Sequence, residues 1–255
     1  MIKREISAGY EHLGRFVDDL PRLFDNAGEL LHDGRNTVRA FDADGCRLVV
    51  KRYRRYNIFQ SIAYTLFKPS KAVRAWRYAA MLRSRGIGTP REVAYLETGG
   101  GRLKTVGYFV SLRCDDRPVK ELLGIGDDGW RMTAGRQYAV DAVAALIAHM
   151  HDEGILYGDL NVSNILYHIA DDGRYVLSVI DTDRARFKPA TPRECADDLK
   201  RVTHHREVLK AVVEAYAACR GLDAAAVVGA VMRRLDRFER RNAVKRRLKR
   251  VIGRR

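Results

Sequence analysis

Three oxygen-bearing side chains in the second half of the chain have the types and spacing that phosphoryl transfer requires. Asp159 and Asn164 form an Asp-x4-Asn pattern within HDEGILYGDLNVSNILY (residues 151–167), and Asp181 follows in VIDTD. Carboxylate and amide oxygens are the hard ligands that Mg²⁺ prefers, and the ion keeps its other positions for water and phosphate. A free carboxylate beside them can accept the proton of a hydroxyl group. The set predicts phosphoryl transfer, which depends on positioning, charge-neutralising metals and a base.

The elements around this set must bring its members together, because Asp181 lies well beyond the loop in the sequence. Residues 137–151 predict a buried helix with an apolar stripe, and the loop follows it directly. Residues 164–169 and 175–180 then predict a β-hairpin, since the turn sequence ADDGR separates them. Such a hairpin returns the chain, so we expect Asp181 to lie beside the loop residues.

The first half of the chain predicts antiparallel strands and one main helix. The turn sequences DGRN and DG separate three short runs of β-branched or alternating character. These runs are residues 28–32, 37–43 and 47–53. Residues 70–86 predict a helix, because Ser70 can cap its start and Gly86 can end it. A further hairpin, with the turn sequence TGGG, is predicted within residues 92–112.

This order of elements predicts an α+β fold with two lobes and a cleft between them. We assign residues 1–112 to a small, strand-rich first lobe and residues 113–255 to a mostly helical second lobe. The length of 255 residues suits such a pair. The four cysteines lie far apart and form no CxxC pair, which argues against both a disulfide framework and a zinc site.

The sequence also indicates a cytoplasmic protein. No apolar run approaches the roughly 18–20 residues needed to cross a bilayer. The start, MIKRE, has a charged head with no apolar stretch behind it, so we identify no signal peptide. The sequence does not indicate an oligomeric state.

The net charge of +15 is concentrated at the C-terminus. Residues 231–255 carry 12 Lys or Arg and 2 Asp or Glu, a net charge of +10, and so favour a polyanionic partner. Val244, Leu248, Val251 and Ile252 share one side of a predicted helix with basic residues around them, which is typical of a helix on an anionic membrane surface. An alternative is a helix that packs this side on the second lobe. Nucleic acid is disfavoured, because no binding module is recognisable.

Together these pieces resemble the bacterial lipopolysaccharide-core kinases, which include Kdo kinases and heptose kinases and have a protein-kinase-like fold. YGDLNVSNIL followed by VIDTD resembles the catalytic loop and metal-binding aspartate of that fold. LVVKRY resembles the strand that carries its phosphate-binding lysine, and the similarity runs from about residue 31 to residue 187. The resemblance implies an ATP- and Mg²⁺-dependent kinase that phosphorylates a sugar hydroxyl of a lipopolysaccharide-type glycolipid. Such an enzyme would work in the cytoplasm or at the inner face of the inner membrane.

The resemblance also implies a role for each site residue. Asp159 would orient the acceptor hydroxyl and accept its proton, while Asn164 and Asp181 would hold Mg²⁺. Lys51 would contact the α- and β-phosphates of ATP. The turn that would cover the phosphates contains Gly34, Arg35 and Asn36. The backbone that would receive the adenine belongs to Val110, Ser111 and Leu112.

One position departs from the usual kinase pattern. Kinases pair the strand lysine with a glutamate on the following helix, but no acidic residue lies between Lys51 and Glu92, and Arg77 stands where the glutamate is expected. Two alternatives therefore remain beside the glycolipid kinase. One is a kinase for a protein or another small molecule, and the other is a nucleotide-binding pseudokinase. The intact base and metal-ligand set favours an enzyme.

Overall fold

The first part of the chain, where apolar residues alternate, forms mainly strands, and the rest, where they recur with helical periodicity, forms mainly helices. The structure, a computed structural model, describes residues 2–53, 69–99, 106–126 and 129–252. The chain divides into two compact units. Unit 1 comprises Met1–Asp115 and Val179–Arg184, and unit 2 comprises Asp116–Ser178 and Ala185–Arg255.

Unit 1 is built on an antiparallel sheet whose order, over the described residues, is β1-β5-β6-β4-β3-β2. The strands are β1 (Ile2–Ile6), β2 (Glu29–Asp33), β3 (Thr37–Ala43), β4 (Cys46–Tyr53), β5 (Glu92–Thr98) and β6 (Val106–Leu112). Asp44 and Gly45 join β3 to β4 with φ angles of 46° and 77°. Two positive φ angles are what a type I′ hairpin turn requires. The predicted meander of β2, β3 and β4 is confirmed.

Helix α1 (Gly14–Leu23) contributes the main apolar core of unit 1. Leu20 and Phe24 are fully buried in a cluster with Leu48 and Val110 from the sheet. Neither α1 nor the edge strand β1 is predicted from the sequence. The hairpin of β5 and β6 is confirmed as a strand pair, but its predicted connecting turn falls largely on residues 100–105, outside the described residues.

Helix α2 (Lys71–Ser84) confirms the predicted helix of the first half. The Ser70 side chain accepts a hydrogen bond from the backbone N–H of Val73 (3.3 Å), as a helix N-cap does. A Cβ atom placed on Gly107 would lie 3.0 Å from the Cβ of Ala72, so α2 runs close against β6. This close packing fixes the position of the first turn of α2 relative to the sheet.

Unit 2 is mostly helical, as predicted. Its helices are α3 (Val119–Leu122), α4 (Ala134–Asp152), α5 (Pro192–Leu199), α6 (Arg206–Cys219) and α7 (Ala224–Ile252). A small sheet has the order β10-β9-β7, formed by β7 (Arg117–Pro118), β9 (Ile165–Ile169) and β10 (Tyr175–Val179). The predicted hairpin of β9 and β10 is therefore confirmed. Over the described part of the chain, every helix is too short or too polar to span a bilayer.

The end of α4 leads directly into the loop that carries the predicted catalytic residues. Thr133 caps the start of α4, and its apolar stripe packs against α6, which confirms the predicted buried helix. Gly154 ends it with a φ of 67°, and a Cβ atom there would lie 3.0 Å from the carbonyl oxygen of Lys188. The chain then enters β8 (Ile155–Leu156), which pairs with β11 (Arg186–Phe187). The end of α4 and the pairing of the buried strand β8 with β11 thus fix the entrance to the loop.

Candidate active site

In unit 2, the backbone just before Asp159 is held by one buried carboxylate. Asp198 of α5 accepts a hydrogen bond from the N–H of Tyr157 at Oδ2 (2.7 Å) and from the N–H of Gly158 at Oδ1 (2.8 Å). Asp198 is only 4 % exposed. Hydrogen bonds to a carboxylate are among the stronger ones in proteins, and this pair involves both oxygens. The start of the loop is therefore anchored to α5.

Asp159 and Asn164 are brought together by hydrogen bonds inside the loop. The Nδ2 atom of Asn164 donates to the backbone carbonyl of Asp159 (3.1 Å), and its backbone N–H donates to the carbonyl of Asn161 (2.7 Å). The N–H of Ser163 also binds Oδ1 of Asn161 (2.8 Å). With its nitrogen used in this way, the amide of Asn164 presents Oδ1 as the atom that could bind a metal.

A buried polar cluster supports the anchor. His151, near the end of α4, lies with Nδ1 2.9 Å from the hydroxyl of Tyr216 and Nε2 3.6 Å from Oδ2 of Asp198. Burial alone would lower the pKa of His151, but the nearby Asp198 and Cys195 more than offset this and raise it. His151 is thus a core contact rather than a solvent-facing base. All four cysteines are free.

In unit 1, the strand lysine and the predicted metal-binding aspartate form an ion pair. Lys51 lies in β4, where it pairs with Val38 of β3 and Phe109 of β6, and its Nζ contacts Oδ1 of Asp181. Burial alone would raise the pKa of Asp181. Lys51 and a hydrogen bond from Asp183 more than offset this, so the pKa lies below its usual value. Asp181 is therefore ionised at neutral pH, as a ligand for a divalent cation must be.

The segment that carries Asp181 is locked into unit 1 by backbone contacts. The N–H of Val179 donates to the carbonyl of Gly88 (2.8 Å), and Oγ1 of Thr89 donates to the carbonyl of Val179 (2.7 Å). Asp181 itself has a φ of 66°, in the left-handed region that few residues other than glycine adopt. Backbone strain of this kind is common at functional sites.

Helix α2 contains no Asp or Glu, and the side chains that it places near Asp183 are basic. Nη2 of Arg74 lies 4.0 Å from Oδ2 of Asp183, which is 5 % exposed, and Lys71 also interacts with Asp183. Burial, reinforced by the charge of Asp181, raises the pKa of Asp183. Arg77, which stands at the position expected for the glutamate, is exposed. In this structure the acid paired with Lys51 is Asp181.

The turn that was predicted to cover the phosphates, which contains Gly34, Arg35 and Asn36, is closed by its own backbone hydrogen bond. In the β2–β3 turn, the N–H of Gly34 donates to the carbonyl of Asn36 (3.2 Å), and Arg35 is exposed. A Cβ atom on Gly34 would lie 2.6 Å from Nε2 of His32, so the turn and that side chain are close. The turn is short and tight.

The predicted adenine-binding backbone lies within the sheet. Val110 and Ser111 belong to β6 and pair with both β4 and β5. The N–H of Leu112 donates to the carbonyl of Arg91 (2.9 Å), and the N–H of Arg113 donates to the carbonyl of Arg47 (2.8 Å). Because these N–H groups are already used, an adenine contact here would have to use a carbonyl group or a residue after Arg113.

The structure therefore brings the predicted residues together in two pairs. Asp159 and Asn164 meet within unit 2, and Lys51 and Asp181 meet within unit 1. Among the described residues, no three His, Cys, Asp or Glu side chains form a group that could hold a metal. A metal role accordingly depends on the individual oxygens of Asn164 and Asp181. The anchor Asp198 was not predicted, because nothing distinguishes it in sequence from the neighbouring Asp197.

A family model and a solved structure both match most of the chain. The model of the lipopolysaccharide kinase (Kdo/WaaP) family matches residues 32–218. Among solved structures, "WaaP in complex with acyl carrier protein" is similar with a TM-score of 0.65 and 19 % identity, covering 92 % of this chain and 98 % of that one. This likeness confirms the predicted α+β, protein-kinase-like fold. No curated protein sequence matches the chain.

A second solved structure gives a weaker match. The Rio2 kinase–ADP/Mg²⁺–phosphoaspartate complex from Chaetomium thermophilum has a TM-score of 0.47 and 16 % identity. The alignment covers 93 % of this chain and 82 % of that one.

Proposed function

Because the chain belongs to the lipopolysaccharide kinase (Kdo/WaaP) family and is an ATP-dependent kinase, we propose that it phosphorylates an inner-core sugar. The acceptor would be a hydroxyl group of Kdo or heptose in a lipopolysaccharide-type glycolipid. The γ-phosphoryl group of ATP would be transferred to that hydroxyl. Family membership also favours an enzyme over the pseudokinase that the sequence left open.

The geometry of the loop around Asp159 carries this proposal. Asp198 anchors the backbone at Tyr157 and Gly158, and Asn164 binds the carbonyl of Asp159. A base is effective when it is held within hydrogen-bonding reach of the proton that it accepts. We assign Asp159 as the residue that orients the acceptor hydroxyl and takes its proton. The anchored backbone would limit how far its carboxylate can move.

The pair in unit 1 supports the nucleotide part of the proposal. Lys51 projects from β4, which is hydrogen-bonded to a strand on each side, so the backbone that carries the lysine is held in place. We assign its ammonium group to the α- and β-phosphates of ATP. Asp181, ionised and 35 % exposed at its side chain, fits a divalent cation. A bound Mg²⁺ would neutralise charge on the phosphates and on the transferred group. We assign the Mg²⁺-binding roles to Asp181 and Asn164.

The C-terminal helix supports a membrane-surface partner. Its acids Asp236 and Glu239 both bind Arg206, at 2.7 and 2.8 Å. By contrast, the cations of residues 240–247 are exposed, and Val244 is 57 % exposed rather than packed on the second unit. The rest of the predicted apolar side, from Leu248 onward, falls on residues whose side chains the structure does not describe. We propose that this helix binds the anionic inner face of the inner membrane, where a glycolipid acceptor would be met.

Phosphate transfer to a defined acceptor tests the proposal. Purified protein is incubated with ATP and Mg²⁺, with and without a Kdo–lipid A acceptor, and the glycolipid is weighed by mass spectrometry. We expect the mass to rise by one phosphoryl group only when enzyme, ATP and acceptor are all present. A protein that binds ATP but leaves both Kdo- and heptose-containing acceptors unchanged would contradict the proposed substrate.

A further inference from the structure

Two lysines that are distant in sequence converge on one aromatic ring in unit 1. Lys51 projects from β4, and its Nζ lies 5.5 Å from the centroid of the Tyr53 ring. Lys71 is the first residue of α2, and its Nζ lies 5.9 Å from the same centroid. The Tyr53 side chain is buried, so it is a fixed platform for both ammonium groups. The two charges are therefore held in neighbouring positions by different elements.

The surroundings of Lys71 are electrostatically crowded with positive charge. Arg35 from the β2–β3 turn, Arg74 from α2 and Arg184 all repel it, while Asp183 attracts it. Burial, with this repulsion, lowers the pKa of Lys71. A cation at the first residue of a helix is also unfavourable, because the N-terminal end carries partial positive charge. An arrangement of this kind becomes favourable when an anion with several oxygens binds beside it.

The cluster formed by Lys51, Lys71, Arg35, Arg74 and Arg184 with Asp181 and Asp183 carries an excess of positive charge. Lys51 is the residue already assigned to the phosphates of ATP, and Lys71 shares its aromatic platform. Lysine is a common phosphate ligand that acts as a compact point charge. The usual kinase helix offers a glutamate to the strand lysine at this stage of the fold. Here the corresponding helix has the exposed Arg77 at that position, and its first residue, Lys71, approaches the ring that Lys51 also faces.

From this geometry we propose that Lys71 is a second phosphate-binding residue for the nucleotide, acting beside Lys51. Helix α2 thus contributes a direct ligand to the triphosphate in place of the acid that normally orients the strand lysine. The inference rests on the proposed use of ATP. It predicts that Lys71 distinguishes nucleotides by their number of phosphate groups.

The test compares nucleotide affinities of Lys71→Met with those of the unaltered enzyme. Methionine keeps an unbranched stem that can pack near Tyr53 but removes the charge. Isothermal titration calorimetry with Mg²⁺ would give Kd values for ATP, ADP and AMP. We expect Kd for ATP to rise roughly tenfold to a hundredfold, the effect of losing one charge-assisted contact. Kd for AMP should stay unchanged.

Two further variants separate binding from structure. Lys71→Arg keeps the charge and should retain most of the affinity for ATP, whereas Arg77→Ala removes an exposed cation from the same helix and should change nothing. Far-ultraviolet circular dichroism and thermal melting would verify the fold of each variant. If Lys71 only stabilises α2 through Asp183, Lys71→Met will lower the Tm and leave the ratio of the ATP and AMP Kd values unchanged. That result would overturn the inference.

The unaltered enzyme separates failure of this inference from failure of the proposed function. If it phosphorylates a glycolipid and the Kd ratio of Lys71→Met is unchanged, only the role of Lys71 is wrong. If the unaltered protein binds no ATP, the proposed function and the role of Lys71 fall together.

Discussion

At the scale of single residues, the central feature is a carboxylate whose position is set by its neighbours. Asp159 is partly exposed, and its own carbonyl receives the Asn164 amide. The backbone before it is held at Tyr157 and Gly158 by Asp198. The residue is thus well suited to work as an orienting group and base.

Asp159→Asn should therefore slow phosphoryl transfer by about 10²- to 10⁴-fold, the usual contribution of a general base. The amide keeps the size of the side chain but cannot accept the proton. Affinity for ATP should be unchanged, because Asp159 is not assigned to the nucleotide. Initial rates with radiolabelled ATP, together with ATP Kd values, would measure both. Ser163→Ala changes an exposed residue in the same loop and is the matched control, which should keep the full rate. A full rate in Asp159→Asn would contradict the assignment of Asp159 as the base.

Sequence reasoning predicted Asp159, Asn164 and Asp181 from their types and spacing, and Lys51 from the resemblance to the kinase fold. It did not predict the partner of Lys51. The expected partner was an acid on the next helix, whereas the structure supplies Asp181 from a segment far along the chain. Pairing over such a separation depends on how the chain returns to the sheet, which local patterns do not encode.

At the scale of elements, α5 connects the helical core to the catalytic loop. Its buried Asp198 accepts two backbone hydrogen bonds from the loop. Asp198→Asn would replace one acceptor oxygen with a donor facing an N–H group. Losing one charge-assisted bond should lower the free energy of unfolding by about 1.5–3 kcal/mol, and kcat should fall because the loop loses its anchor.

Urea unfolding would measure this effect, with Asp197→Asn as the control. Asp197 is adjacent but 41 % exposed at its side chain, where it pairs with Lys200 and Arg234. Partly exposed ion pairs contribute about 0–1 kcal/mol, so the control should be nearly neutral. Equal losses in the free energy of unfolding for the two variants would show that the hydrogen bonds from Asp198 to the loop contribute no more to stability than the partly exposed ion pairs of Asp197.

The start of α5 gives a pH-dependent prediction. Glu194 and Thr191 form a capping box, and hydrogen bonds from Lys188, then from the backbone and side chain of Thr191, lower the pKa of Glu194 to about 2. Because the folded pKa is below the ordinary value of 4.5, this stabilisation is present above that value and is lost as pH falls toward 2. Glu194→Gln should therefore weaken the pH dependence of Tm over this range. Identical acid limbs for both proteins would show that the capping carboxylate is not linked to folding.

The elements that the sequence predicted well are those with clear periodicity and turn chemistry. The β2–β4 meander has strong turn signals, and α4 has a continuous apolar stripe. β1 was missed because four of its five residues are exposed, so it has no alternating pattern. Helix α1 contains Pro21, which weakens its helical signal. Both depend on pairing with β5 and packing on the sheet, which are tertiary effects.

At the scale of the whole molecule, the main feature is an uneven distribution of charge, with exposed basic side chains near the C-terminus. The excess of +15 is concentrated in the last part of α7 and beyond, where cations of residues 240–247 are exposed. Two of the acids in this helix are occupied by Arg206. Each basic residue near an anionic leaflet contributes about 1 kcal/mol to binding. Several together would hold the enzyme at a membrane surface.

Vesicle sedimentation tests this membrane role. The unaltered protein should bind vesicles rich in phosphatidylglycerol and should be released by salt, because salt screens surface charges. Replacing Arg240, Arg241 and Lys245 with glutamate should abolish binding, while phosphotransfer to a detergent-dispersed acceptor continues. Vesicles of phosphatidylcholine are the control and should bind neither protein. Equal binding of both proteins to anionic vesicles would exclude this helix as the membrane contact.

Location of the transferred phosphate tests the central claim most directly. The glycolipid product of a reaction with Mg²⁺ and ATP would be fragmented by tandem mass spectrometry, which separates core sugars from the lipid A part. The proposed function predicts one added phosphoryl group on a Kdo or heptose fragment, formed by the unaltered enzyme and not by Asp159→Asn. A phosphate on the lipid A part, or equal product from both proteins, would contradict the proposed sugar-kinase function with Asp159 as its base.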